Sequence, residues 1–194
     1  MRPVPAPIAS RRVATPRIYT KTGDDGTTGL YYGGRVRKDS TPIEINGAVD
    51  EAQSAMGMAR AESAPGSELN ERLTALERDL YVLMAEVATA PDNRHKLKAR
   101  ASLVTEEMVL ALEHTIDDLR SRSDIPSDFT VPGENRISAA LDLARTIVRR
   151  AERLAVTDPI EGSFVIPFLN RLSDLLWAMA RWQEGPDHKL SRSR

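Results

Sequence analysis

The sequence predicts an all-α protein, an up-and-down bundle of five helices. Three observations predict it. From Pro42 onward, apolar residues recur at steps of three and four, the period of one helix face. Aromatic residues make up only 5% of the chain, while Leu and Ala are plentiful, the palette of helix packing. Short breaks bearing Pro or Gly separate the periodic stretches, and such breaks suit antiparallel neighbours.

Taken in order, the chain opens on a basic arm, residues 1–16. Before the first acidic residue, Asp24, lie Arg2, Arg11, Arg12, Arg17 and Lys21, with Pro3, Pro5, Pro7 and Pro16 among them. An acid-free start of this kind can read as an organelle transit peptide. The prolines argue against the amphipathic helix such a peptide forms, which favours a flexible arm on a bacterial-type cytosolic protein. One domain is then expected over 17–186. It begins with a Gly/Thr/Asp-rich segment, Arg17 to Gly34, whose glycines at 23, 26, 29 and 33 forbid a stable helix.

The first helix is expected from Ile43 to Glu62, ending before Pro65-Gly66. The second, Ser67 to Ala90, carries the clearest stripe: Leu69, Leu73, Leu76, Leu80, Leu83 and Val87 alternate steps of four and three. Ser67 can cap it and Pro91 stops it. After a polar stretch to Arg100, the third helix is expected over Val104–Arg122, with Met108, Leu112, Ile116 and Leu119 inward. Pro126, Pro132 and Gly133 mark a loop before the fourth, Asn135 to Val156. The fifth runs from Ser163 to Glu184 and stops at Gly185-Pro186, leaving 187–194 as a flexible tail.

Composition excludes several function classes. With no cysteine there is no disulfide framework, thiolate zinc site, iron–sulfur cluster or cysteine nucleophile. A formal net charge of −1 gives no polyelectrolyte character, so nucleic acid is not an expected partner. No apolar run approaches the roughly 18 residues of a membrane span, so no membrane role is expected and the cytosol is the default. His95, His114 and His188 are scattered, without the paired Glu-x-x-His pattern of a bundle metal site.

Two segments carry chemistry. On the fourth helix Arg145, Arg149 and Glu152 share a face, and Asp142 precedes them by three. This stripe reads either as a solvated face with internal ion pairs or as an anion clamp. In the clamp, guanidinium forks grip phosphate oxygens while the glutamate orients the arginines. The Gly-rich segment is neither a Walker loop, lacking Gly-Lys-Ser/Thr after Gly26, nor an EF-hand. Thr20, Lys21, Thr22 and Gly23, with Thr27, Thr28 and the downstream Lys38, still offer hydroxyls, cations and open backbone. That is the inventory of a phosphate nest, set against the reading of a flexible connector.

The motifs I-Y-T-K-T-G-D-D-G-T-T-G-L, G-G-R-V-R-K-D, E-I-N-G-A-V-D-E, F-T-V-P-G, A-R-T-I-V-R-R-A-E-R and F-L-N-R-L-S-D-L-L-W belong to a pattern that runs collinearly from Ile18 to Trp182. In this order they resemble the PduO-type ATP:cob(I)alamin adenosyltransferases. The resemblance implies a ferritin-like, cobalamin adenosyltransferase-like five-helix bundle that assembles as a homotrimer with ATP between subunits. It implies transfer of the 5′-deoxyadenosyl group of ATP to cobalt(I) of cobalamin or another corrinoid, with Mg²⁺ carried mainly by ATP and triphosphate released. A reductase supplying cobalt(I) is an implied partner.

By position, Thr20 to Asp24, Gly26, Thr27, Thr28 and Lys38 match the N-terminal part of the family's ATP site. Arg145, Arg149, Arg150, Glu152 and Arg153 match the helix that supplies the other side, and Asn170 matches a further ATP contact. Asp50 and Arg145 match a salt bridge across the subunit interface. Phe129 matches a phenylalanine that packs under the corrin and displaces its lower ligand. Phe129, Arg149 and Glu152 are thus the residues expected to act in the chemistry. At Asn46 and Gln53 the sequence departs from the family's usual residues. A non-catalytic relative of the same fold, carrying or sensing ATP or adenosylcobalamin, is the alternative function.

Overall fold

In the computed structural model, residues 18–192 are described; the arm expected over residues 1–16 lies outside them. Five helices carry the fold: α1 (Thr41–Glu62), α2 (Glu68–Val87), α3 (Glu106–Arg122), α4 (Arg136–Thr157) and α5 (Val165–Glu184). A short antiparallel hairpin, β1 (Thr27–Gly29) and β2 (Arg35–Arg37), precedes them, with Thr28 opposite Val36.

Local chemistry sets the helix starts. Pro42 opens α1, and the Ser67 hydroxyl accepts the Asn70 N–H at the start of α2. A reciprocal pair opens α4: Ser138 N–H donates to Asn135 Oδ1 at 2.8 Å, and Asn135 N–H to Ser138 Oγ at 3.3 Å. The helices alternate in direction. Arg60 meets Glu77 across α1 and α2, Arg72 meets Asp118 across α2 and α3, and Glu51 meets Arg150 across α1 and α4. Neighbour order is α2–α1–α4–α5–α3, and α3 returns to α2 through ion pairs. Helices α3 and α5 are parallel neighbours, as Glu113–Arg171 at one end and Arg122 over Trp182 at the other require.

The α1–α4 seam is built from small residues: Ala48, Ala52, Ala55 and Ala59 on one helix, Ala140, Ala144, Ala151 and Ala155 on the other, all buried. Small side chains let the two axes approach closely, so α4 is held rigidly along its length. Around them Leu73, Leu80, Leu83, Phe168, Leu169, Leu172 and Leu176 are fully buried.

Three of the helix ends that differ from expectation do so for a hydrogen-bonding reason. Helix α2 stops at Val87, and the Ala88 carbonyl instead accepts the Tyr31 N–H at 2.9 Å, docking the hairpin tip. Helices α3 and α5 start two residues later than expected because Val104 and Ser163 serve Glu86, a carboxylate with no exposed surface. It accepts the Val104 N–H at 2.7 Å, the Ser163 hydroxyl at 2.6 Å and Arg94 at 2.8 Å. A buried carboxylate needs all its lone pairs met, and this one is met from three segments.

Asn46 and Gln53 now have a structural purpose. Each amide donates to an α2 carbonyl, Asn46 to Met84 at 3.1 Å and Gln53 to Glu77 at 3.3 Å, cross-linking α1 to α2. The residues expected as tail run beside 129–131: Val131 N–H donates to the Lys189 carbonyl and Ser191 N–H to that of Phe129, both at 2.8 Å.

Candidate functional site

The glycine turn before β1 is a set of interlocked short contacts. Gly26 N–H reaches the Gly23 carbonyl at 3.2 Å, and Lys38 N–H reaches that of Gly26 at 2.9 Å. Lys21 adopts a left-handed φ of 63°, a conformation a non-glycine residue holds only where its surroundings demand it. Lys38 lies over this turn. A Cβ added at Gly23 would stand 3.1 Å from Lys38 Nζ, so glycine there lets the ammonium sit against the backbone. Thr20 and Thr22 hydroxyls are 2.8 Å apart.

Arg35 and Asp25, absent from the residues singled out in the sequence, brace this turn. Arg35 donates to the Thr22 carbonyl at 2.6 Å and to the Thr27 hydroxyl. Asp25 accepts from the Thr27 N–H and hydroxyl, and these hydrogen bonds hold its carboxyl below the usual value. Nothing local in the sequence flags Arg35, because a strand of three residues is too short to show alternation.

Helix α4 displays its charges on two flanks. On the α1 flank Arg150 pairs with Glu51, and both line a cleft of about 290 Å³ with Lys38, Gly47 and Leu154. On the α5 flank Arg145 and Arg149 line a cleft of about 350 Å³ with Asp128, Phe129, Asp174 and Trp177. Arg145 is tied to Asp142 on its own helix at 3.0 Å. Arg149 and Arg153 have no carboxylate within ion-pair reach among the described residues, and neither do Lys21 and Lys38.

The stripe is therefore part ion-paired face and part open cation cluster. Contrary to expectation, Glu152 does not orient the arginines. Its carboxylate accepts the Asn170 amide at 2.9 Å, while the Asn170 oxygen accepts from Arg171 at 2.9 Å. An amide so held presents a fixed orientation beside the cations. Asp50 is exposed on α1 and makes no ion pair with Arg145 inside the chain.

Phe129 is 80% exposed, so it is not a core aromatic. It stands at the cleft with Trp177 and Asp174 below. Burial pushes the Asp174 carboxyl up, and Arg171 and Arg149 pull it back. Trp177, Asp174 and Ser127 also line a second cleft of about 670 Å³ between α3 and α5, so the two clefts adjoin at these residues. Such a surface, an apolar wall beside unpaired cations, can seat a large planar ligand next to an anionic one.

Comparisons with known proteins identify the family and the fold. The family model described as cobalamin adenosyltransferase matches residues 18–183. A corrinoid adenosyltransferase of Citrobacter freundii is 40% identical over 173 residues, covering 87% of this chain and 95% of that protein. One from Bacillus subtilis is 39% identical over 173 residues, covering 85% of each. Among solved structures, a phenylalanine-to-histidine variant of a PduO-type ATP:corrinoid adenosyltransferase from Lactobacillus reuteri, complexed with cobalamin and ATP, superposes with a TM-score of 0.80. It is 31% identical, and the match covers 91% of this chain and 97% of that one.

Proposed function

Because the chain belongs to the cobalamin adenosyltransferase family, we propose that its unpaired cations hold the triphosphate of ATP and that the cleft beneath Phe129 seats a corrinoid. The protein is an ATP-dependent corrinoid adenosyltransferase. Cobalt(I) attacks C5′ of the ribose, the cobalt–carbon bond forms, and the C5′–oxygen bond breaks with its electron pair leaving on triphosphate. Negative charge grows on the leaving oxygen, so fixed cations near it lower the barrier. No protein nucleophile takes part.

One observation carries the assignment of sites: Arg149 and Phe129 line the same cleft. A phosphate clamp and a corrin wall must be adjacent for cobalt to reach C5′. Lys21, Lys38 and the glycine turn supply the opposite half. In one chain Lys38 shares the α1 flank of α4, whereas Arg149 faces the other. An ATP gripped by both halves is therefore best formed between subunits of a homotrimer, with the exposed Asp50 free to reach Arg145 of a neighbour.

Among the described residues no three His, Asp or Glu side chains converge to hold a metal. A magnesium ion entering with ATP would take its ligands chiefly from triphosphate oxygens and water, and would supply charge neutralisation there. A cytosolic reductase completes the proposal, since cobalt(I) must be delivered reduced. No helix among the described residues is long and apolar enough to cross a membrane.

The direct test is adenosylation of chemically reduced cob(I)alamin by the purified protein with ATP and magnesium, followed by absorbance. Formation of adenosylcobalamin dependent on both protein and ATP is the expected result. Absence of turnover while ATP still binds by calorimetry would instead favour a carrier or sensor.

A further inference from the structure

Phe129 faces the solvent, so its ring makes little packing contact that could fix its position. Its backbone must be fixed instead. On one side the segment 129–131 is held by backbone bonds to residues 189–191. On the other, the Thr130 hydroxyl accepts a hydrogen bond from the guanidinium of Arg181.

Arg181 is 1% exposed and lies on α5, one turn beyond Trp177. Besides Thr130 it donates to Asp142 Oδ2 at 2.6 Å and to Glu184 Oε1 at 2.8 Å. Asp142, itself buried, accepts Arg145 on its other oxygen at 3.0 Å. The Arg181 guanidinium carbon is also 5.9 Å from the centre of the Trp177 ring. One buried charge thus touches the segment carrying Phe129, the carboxylate that aims Arg145, and the aromatic floor of the same cleft.

Burying an arginine, Arg181, with two carboxylates, Asp142 and Glu184, is not an efficient way to stabilise a bundle, because desolvation offsets most of the mutual attraction. Apolar residues of similar volume would serve stability as well. What such a cluster supplies is geometry: a planar guanidinium fixes its three partners in direction as well as distance. Through two of these partners, Thr130 and Asp142, it reaches residues that line the proposed corrinoid cleft, Phe129 and Arg145.

We propose that Arg181 is a positioning residue for the corrinoid half of the site, holding Phe129 through Thr130 and Arg145 through Asp142. The proposal rests on the assignment of that cleft to the corrinoid. Arg181 touches no reacting atom. Its influence on the reaction passes through Phe129 and Arg145.

The test uses full-length Thr130→Val, which keeps the shape of the side chain and removes the acceptor while leaving Arg181 with Asp142 and Glu184. With the wild-type enzyme turning over, kcat/KM for the corrinoid is expected to fall about 10-fold, the scale of one charge-assisted hydrogen bond. KM for ATP should stay within about 2-fold, and Thr130→Ser, which restores the hydroxyl, should recover activity. In a Phe129→Ala background Thr130→Val should add almost no further loss, because the effect passes through that ring.

An equal rise in the KM for both substrates, or a full additional loss in the Phe129→Ala background, would overturn the proposal. Arg181→Lys provides a second route if the valine variant folds poorly. It keeps the buried charge but not the planar fork, and should show the same corrinoid-selective loss. Failure of the wild-type enzyme to adenosylate any corrinoid would count against the assigned activity, a separate outcome.

Discussion

Arg145 and Arg150 on α4 are each held by a carboxylate, Asp142 and Glu51, whereas Arg149 between them has none within reach among the described residues. That difference decides which arginine has donors to spare for an incoming phosphate. Replacing Arg149 by Ala should remove a charge-assisted contact worth about 1.5–3 kcal/mol and weaken ATP binding or turnover about 10-fold or more. Steady-state kinetics with varied ATP would show it, and unaltered ATP kinetics would remove Arg149 from the site. The spacing of Arg145, Arg149 and Glu152 made this face legible in the sequence, because helix period alone puts them together. Their partners were not legible. Glu152 bonds Asn170 across to α5, and Arg181 meets residues 39 and 51 positions away. Nothing local in W-A-M-A-R-W distinguishes a buried hub from a solvated arginine.

At the scale of elements, the five helices follow from a sustained apolar period, and several of their starts from Ser67, Asn135 and Pro42. The hairpin does not, since strands of three residues are too short to show alternation. Tertiary ion pairs also escape local reading, yet they close the bundle where α2 begins and α3 ends. There Glu68 binds Arg122 and Arg72, and Asp118 lies 2.9 Å from Arg72. Hydrogen bonding from Arg122, with help from Arg72, holds the Glu68 carboxyl down to about 2 from an ordinary 4.5. Because the folded value is the lower one, the contribution of Glu68 is complete above 4.5 and fades as pH falls toward about 2. Glu68→Gln should therefore melt below the wild type at neutral pH, and the gap should close across that acid window. Circular dichroism melts at a series of pH values test this. A gap that stays constant down to the lowest pH would mean the pair adds nothing that titrates.

For the whole molecule, alternating directions were predictable from short connections, but the neighbour order α2–α1–α4–α5–α3 was not. It depends on which faces meet, and the alanine seam that brings α1 against α4 joins helices far apart in sequence. This order puts α4 between the hairpin flank, with Lys38, and the Phe129 flank, with Arg149. The proposed ATP site is consequently whole only when two chains meet. The most direct measurement is complementation. Lys38→Ala and Arg149→Ala, each impaired alone, are unfolded together at equal concentration, refolded as mixed oligomers and assayed for adenosylation. Random assortment should return about a quarter of sites to wild-type composition, with activity to match. A mixture no more active than the average of its two parents would place both halves of the site on one chain and contradict the shared-site account.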